Sequence, residues 1–261
     1  MLYIHLNIKG GVGKTTSSIN LAAGLSTTRR VLLIDEDPQH SATKTLLGRV
    51  LSDDEKSIED AMNNPKCTKE CIQRTGLSSM DILPSKLSLF AFEKRIMLDS
   101  TSPQHSKLWR VIKEVENDYD DIVVDCSPSL NTLALNAVYA CKNGRGKVII
   151  PVKIDLGAEE GCDITVDFIH EVNQGYDLDI DYCVLITMLN RNLTDVKVMN
   201  EIYEKVGGKM FDAKIRYQGK PVTDAAYANE AVIFNDSKNV GKDYQSWVNE
   251  VKTWQACHVN E

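Results

Sequence analysis

The tightest constraint on this 261-residue chain is one octapeptide, Lys9-Gly10-Gly11-Val12-Gly13-Lys14-Thr15-Thr16, together with its flanks. Before it, residues 2–7 (LYIHLN) read as a short apolar strand. After it, residues 14–28 place Ile19, Ala22, Ala23 and Leu25 on one helical face. A glycine turn between a strand and a helix opening on Lys-Thr is the setting of a phosphate-binding loop. Glycines let successive backbone N–H groups curl around phosphate oxygens, and the helix N-terminus adds the positive end of its dipole. Lys14 is then placed to reach the β- and γ-phosphates. The Thr15 hydroxyl would ligate Mg²⁺, and Thr16 would bond a phosphate oxygen nearer the base. The strict loop pattern wants a further glycine where Ile8 stands.

Residues 31–34 (VLLI) are a second apolar strand, so strand, helix and strand follow within some 35 residues. That is a βαβ unit and implies a parallel sheet. The alternation continues. Strands are expected at 80–83, 121–125, 147–151 and 182–187, and helices at 87–98, 105–118, 130–141, 157–173 and 195–206. Several strands are continuously apolar, as expected when helices cover both faces. The polar stretch 48–79 reads as irregular helical pieces at the sheet edge. No Pro/Gly/Ser linker, repeat or low-complexity run interrupts the chain. The expected fold is α/β, a doubly wound, mostly parallel sheet with helices on both faces, as one P-loop domain over 1–261. The loop starts at Lys9, so no N-terminal helix-turn-helix is expected.

Composition removes several other classes. Apolar residues are 43% and charged residues 26%, which is ordinary globular usage and argues against long disorder or a coiled coil. No apolar run approaches a membrane span, and the N-terminus lacks the parts of a signal peptide. The seven cysteines are scattered through apolar segments and read as buried, reduced thiols of a cytosolic protein. Cys67 and Cys71, four apart, would share a helix face. The last helix, about 242–255, sets Tyr244, Trp247, Val248, Val251 and Trp254 at helical spacing. It reads as docked on the core, because its polar face is too poor in Lys and Arg for a membrane anchor.

Two further signals carry chemistry. Asp125 ends the apolar run Ile122-Val123-Val124, the place of a Walker B carboxylate that holds Mg²⁺ directly or through water. Asp35 and Asp37 alternate in Asp35-Glu36-Asp37-Pro38-Gln39 at the carboxyl end of the second strand. Ligands of open α/β sheets bind at that end, and a carboxylate there could orient an attacking water.

These segments together resemble the ParA/MinD family of deviant Walker-A ATPases, and within it the short, Soj-like ParA partition ATPases. The resemblance rests on KGGVGKTT (9–16), DEDPQHSAT (35–43), ILPSKLSL (82–89), VVDCSPSL (123–130), the segment around Ile149–Pro151 and, more loosely, AKIRYQGKPV (213–222). It implies roles. Lys9 matches the signature lysine, which reaches across a nucleotide-sandwich dimer to the partner's phosphates. Gly10, Gly11, Val12, Gly13, Lys14, Thr15 and Thr16 match the phosphate loop. Asp37 matches the carboxylate that positions the hydrolytic water. Asp35 matches its partner near the Mg²⁺ shell, beside Thr15 and Asp125. The catalytic set is then Lys9, Lys14 and Asp37, with ATP and Mg²⁺ as cofactors.

The resemblance also implies a homodimer formed on ATP, non-specific binding to double-stranded DNA, and slow hydrolysis stimulated by a ParB-like partner. The location would be cytoplasmic and nucleoid-associated. The chain as a whole is acidic, at −7, so DNA binding needs a local basic surface. Residues 205–242 hold seven basic and four acidic side chains, a net of +3 that leaves −10 on the rest. Arg216 falls where the family has a DNA-contacting arginine; Lys214, Lys220, Lys238 and Lys242 accompany it. Asn190 and the backbone near residues 215–217 are the candidates for adenine contacts. A MinD-like membrane switch would need a basic amphipathic C-terminus. A cluster carrier would need Cys126 or Cys141 in a glycine-rich cluster loop. A biosynthetic amide-forming or kinase-type relative would not need Lys9 or the DxDPQ segment.

Overall fold

The computed structural model describes residues 1–99, 103–142, 144, 146–190, 192–235 and 239–256. Among them the strands β1 (Leu2–His5), β2 (Val31–Glu36), β3 (Gln73–Arg74), β4 (Met80–Leu83), β5 (Asp121–Cys126), β6 (Gly146–Lys153) and β7 (Asp181–Thr187) form one sheet. Its order is β3-β4-β2-β5-β1-β6-β7. Every pairing is parallel except β3 against β4. The order steps away from β1 in both directions, which is the doubly wound arrangement expected from the alternating pattern.

Strands β1, β2 and β5 are buried along their whole length. Successive side chains feed opposite faces of the sheet. Leu2 and Ile4 enter one apolar cluster with Val124, Val148 and Ile186. Tyr3 enters the other with Leu33, Val123 and Ile149. The first face is covered by α5 (Leu89–Leu98), α6 (Lys107–Lys113), α7 (Thr132–Tyr139) and α8 (Ala158–Tyr176), with α3 (Ile58–Asn63) and α9 (Leu193–Lys205). The second is covered by α1 (Lys14–Ser26), α2 (Ser41–Leu47) and α11 (Asn239–Ala256). As expected, α11 docks through its aromatic stripe: Trp247 and Val251 are fully buried and Tyr244 nearly so.

The departures are local. The polar stretch 48–79 holds α3, the single turn α4 (Thr68–Cys71) and the two-residue antiparallel edge strand β3, too short for any periodicity to show. Helix α2 is seven residues long and buries Ala42, Thr43 and Leu46, and α10 (Gly219–Tyr227), nine residues long, buries none fully, so neither is long enough to show a readable period. The helix expected at 130–141 starts at Thr132, because the Asn131 side chain accepts from the N–H groups of Leu133 and Ala134. The helix expected over 105–118 is regular only from Lys107 to Lys113. Six cysteines are free; Cys67 and Cys71 do share a face, with sulfurs 3.8 Å apart, and Cys257 lies outside the described residues.

Candidate functional site

The loop between β1 and α1 is held from both sides. Gly13 caps α1 with φ of 85°, in the left-handed region where a side chain is strained, and its carbonyl accepts the first helical bond from the Ser17 N–H at 2.9 Å. The buried Lys14 ammonium donates to the carbonyls of Asn7 (2.9 Å) and Lys9 (2.8 Å). Asn7 ties the loop to β6 through its amide and the Pro151 carbonyl, 2.8 Å away. Thr187, at the end of β7, donates to the Val12 carbonyl at 2.7 Å. These bonds fix the course of the loop, and the Asn7 and Lys9 carbonyls hold the Lys14 ammonium. Gly10 and Gly11 stay exposed at its rim, and Thr15 and Thr16 are half-buried in the first turn of α1. Burial lowers the Lys14 pKa, and the charges of Asp125 and Asp37 raise it again.

Those carboxylates come from the strand ends beside the loop. β2 and β5 are neighbours in a register that sets Asp35 opposite Asp125. Asp35 is fully buried. One oxygen accepts the Asp37 N–H (3.2 Å), the other the Thr43 N–H (2.8 Å) and hydroxyl (2.7 Å). It therefore shapes the turn that carries Asp37. Asp125 is also fully buried. One oxygen accepts the Ser18 hydroxyl at 3.1 Å, and Oδ2 has no partner. Burial first, and the charge of Asp35 second, raise the Asp125 pKa, while hydrogen bonds from Thr15 and Ser18 oppose the rise. A desolvated carboxylate with an orphan oxygen beside a threonine fits a Mg²⁺ site, where one or two protein ligands combine with phosphate and water. Among the described residues no cage of three or more His, Cys, Asp or Glu side chains exists, and Mg²⁺ at a nucleotide does not need one. Asp37 accepts the Gln39 N–H on one oxygen at 2.8 Å.

Lys9 stands at the loop's outer edge. Its ammonium pairs with Asp155 and donates to the Leu156 carbonyl at 3.0 Å. Its stem lies on Gly161 of α8; a Cβ there would sit only 2.5 Å from a Lys9 carbon. Asp155 and Gly161 were invisible to motif reading, because they matter only once β6 delivers them to the loop. Cys126 and Cys141 are both buried, and the Cys126 thiol donates to Glu36 at 3.6 Å, so neither is presented for a shared cluster.

On the other side of the loop a pocket of about 120 Å³ opens between Gly13, Thr16, Met188 and the strap 215–219, with Val240 and Tyr244 of α11 behind. Its size and apolar lining suit a planar base next to the phosphate hollow. The strap candidates for adenine contact, residues 215–217, line it; Asn190 does not, and its N–H goes to Asp195. Arg216 is half-buried and engaged in a paired contact: Nε and Nη2 donate to the two Asp243 oxygens at 2.7 and 2.8 Å. Lys214 is half-buried and donates to the Phe211 carbonyl, and burial lowers its pKa. Lys220 and Lys242 are exposed, and Lys238 lies outside the described residues.

Comparison with known proteins agrees with this geometry. A family model described as an AAA domain matches residues 3–182. The sporulation initiation inhibitor protein Soj of Bacillus subtilis is 32% identical over 240 residues, 91% of this chain and 92% of Soj. The chromosome partitioning protein ParA of Myxococcus xanthus is 33% identical over 204 residues, 77% of this chain and 69% of that one. A plasmid partition protein of Borrelia burgdorferi, solved with AMPPNP, superposes with a TM-score of 0.80 at 24% identity, covering 97% and 98% of the two chains. Apo McdA of Cyanothece does so at 0.84 and 16%, covering 96% and 98%. At those identities the structures establish the fold alone. With its loop, carboxylates and long matches to Soj and ParA, the chain belongs to the ParA family of P-loop ATPases.

Proposed function

We propose that this ParA-type ATPase is a single P-loop domain that dimerises on Mg-ATP, binds DNA without sequence preference and hydrolyses ATP slowly until a ParB-like partner stimulates it. Its work would be to position a plasmid, chromosome or other DNA cargo over the nucleoid. The observation that carries the reading is the phosphate hollow: an oriented loop, a buried ammonium and an orphan carboxylate oxygen, with Lys9 held by Asp155 at the outer edge. Gly10 to Thr16 would hold the phosphates. Thr15 and Asp125 would hold Mg²⁺, with Asp35 behind them. When bound, Mg²⁺ supplies charge neutralisation at the phosphates.

The chain's own groups do the rest. Lys14 would exchange the Asn7 and Lys9 carbonyls for phosphate oxygens and stabilise the charge developing there. Asp37, anchored by Gln39 on one oxygen, would orient the attacking water with the other. Lys9 would leave Asp155 to meet the phosphates of the partner subunit, so dimerisation and completion of the site coincide. No helix among the described residues is long and apolar enough to cross a membrane. The basic groups near the strap, Arg216, Lys214, Lys220 and Lys242, together with Lys238 of the same sequence stretch, would meet DNA phosphates, and a dimer doubles them.

The test is binding of random-sequence duplex DNA with Mg-ATP, Mg-ADP or no nucleotide, beside the sedimentation mass of each state. Binding that needs ATP and accompanies a dimer supports the reading. An ATP dimer that ignores DNA would make the protein a switch for a non-DNA cargo.

A further inference from the structure

The strap that walls the base pocket also carries Arg216. It is fastened at both ends. Leu189 donates to the Ile215 carbonyl (2.9 Å) and accepts from the Tyr217 N–H (3.1 Å), which joins the strap to the end of β7. The Gln218 side chain accepts the Val240 N–H at 3.0 Å, which joins it to the first turn of α11. Between these fastenings, Asp243 takes three donors from a single residue: the Arg216 N–H at 3.0 Å, Nε at 2.7 Å and Nη2 at 2.8 Å. One turn of α11 therefore presents Val240 and Tyr244 to the base pocket and Asp243 to Arg216. The next residue behind the hollow, Met188, adopts φ of 52°, so the β7 end of this ring is held in an unusual conformation.

A bidentate guanidinium–carboxylate pair is electrically neutral at a distance. Its N–H fork is the same fork that would grip a phosphate. We infer that Asp243 is an internal stand-in for a DNA phosphate: it stores Arg216 as a neutral pair, and DNA binding requires the backbone phosphate to replace it. The pair is partly exposed, with Arg216 at 32% and Asp243 at 11%, so exchange needs no unfolding. Because Asp243 shares one turn of α11 with Val240 and Tyr244, and the strap lines the same pocket, a base filling the pocket would bear on both halves of the pair. Nucleotide then tunes DNA affinity within each protomer, in addition to doubling the surface by dimerisation. Lys220 and Lys242, exposed nearby, would provide the unspecific attraction that brings DNA to the exchange.

This inference rests on the DNA-binding reading, and the experiment separates the two. Binding of a fluorescent random-sequence duplex is titrated against salt for the full chain, Asp243→Asn and Arg216→Ala, each with Mg-ATP, Mg-ADP and no nucleotide. Thermal melting confirms that each variant folds, and Asp243→Ala, which also removes the carboxylate, serves if Asp243→Asn does not. Removing the stand-in should tighten binding about tenfold and steepen the salt dependence by about one counterion. It should also shrink the ratio between the ATP and nucleotide-free states. Arg216→Ala should weaken binding and abolish the effect of Asp243→Asn in the double variant. If Asp243→Asn weakens binding, Asp243 orients Arg216 and the stand-in is overturned. If Arg216→Ala weakens binding while Asp243→Asn changes nothing, the stand-in fails and DNA binding survives. If no form binds DNA, both fail together.

Discussion

The two charged regions of this molecule are built on opposite principles. At the phosphate end, Lys14, Asp35 and Asp125 are buried, and backbone groups or strand register fix each of them. At the strap, Lys220 and Lys242 are exposed, and Arg216 is balanced by one side chain from another element. Burial makes charge specific. An ammonium or carboxylate kept from water is relieved only by a ligand of matching shape and opposite charge, so the phosphate end selects a nucleotide. Exposure makes charge permissive, because any polyanion can answer it and salt sets the outcome. The proposed function, a switch that loads one particular ligand and then binds DNA of any sequence, needs one end of each kind.

The sharpest way to break the contrast is Lys14→Ala. It removes the buried cation that holds the loop and leaves the Asn7 and Lys9 carbonyls without their donor. Nucleotide binding should be lost and hydrolysis should fall by about 10³-fold, the upper range for removing a positioned charge-stabilising donor. A fluorescent-nucleotide titration and a phosphate-release assay check both. Retained affinity would mean that the backbone amides alone hold the phosphates. Asp37→Ala should separate the functions that Lys14→Ala merges. Hydrolysis should drop about 10²-fold while ATP still binds and dimers accumulate, because Asp37 is placed to act on water rather than on phosphate. Equal losses in affinity and rate would instead make Asp37 part of the binding shell.

Much of the phosphate end is legible in the chain because its parts are local. Lys9 to Thr16 are contiguous. Asp125 ends an apolar run, and Asp37 lies two residues beyond Asp35 on another. The strand order that brings those ends together, with β5 between β1 and β2, is not written in any one segment. The partners that decide how the charges are held are not local. Asp155 is 146 residues from Lys9, and Asp243 is 27 from Arg216 with a helix between. Neither aspartate sits in a pattern that distinguishes it from a solvated one. The same holds for the strap: a count of basic residues over 205–242 stops one residue short of the aspartate that neutralises Arg216. α2 and α10 escaped for a different reason, since a helix of about two turns is too short to establish a period.

Beneath the phosphate end lies a buried group whose titration tests whether burial is intact there. His5, the last residue of β1, is fully buried against the edge of Trp247, and neither ring nitrogen has a hydrogen-bond partner. Desolvation lowers its pKa from 6.5 to about 3. The folded value lies below the unfolded one, so between those limits the unfolded chain binds the extra proton. Stability is then complete above about pH 6.5 and falls as pH drops toward 3. The loss attributable to His5 is at most about 3–5 kcal/mol at the acid end. Urea unfolding at pH 7, 6, 5 and 4 should show the decline, and His5→Leu should flatten part of it. An unchanged slope in His5→Leu would assign the acid sensitivity to other groups.

The smallest effect belongs to the permissive end. Lys220 is exposed on α10 with no carboxylate paired to it among the described residues, so its charge acts at a distance. Lys220→Ala should weaken ATP-state DNA binding only a few-fold at moderate ionic strength, reduce the slope of log affinity against log salt by about one, and leave nucleotide affinity untouched. A fluorescence anisotropy series from low to physiological salt reads all three. A few-fold loss that grows at low salt and vanishes at high salt marks a phosphate contact made through bulk electrostatics. A loss that is large and independent of salt would place Lys220 in a desolvated contact like those of the loop. The division between a specific buried end and a permissive exposed one would then no longer hold, because the same physics would govern both faces of the strap.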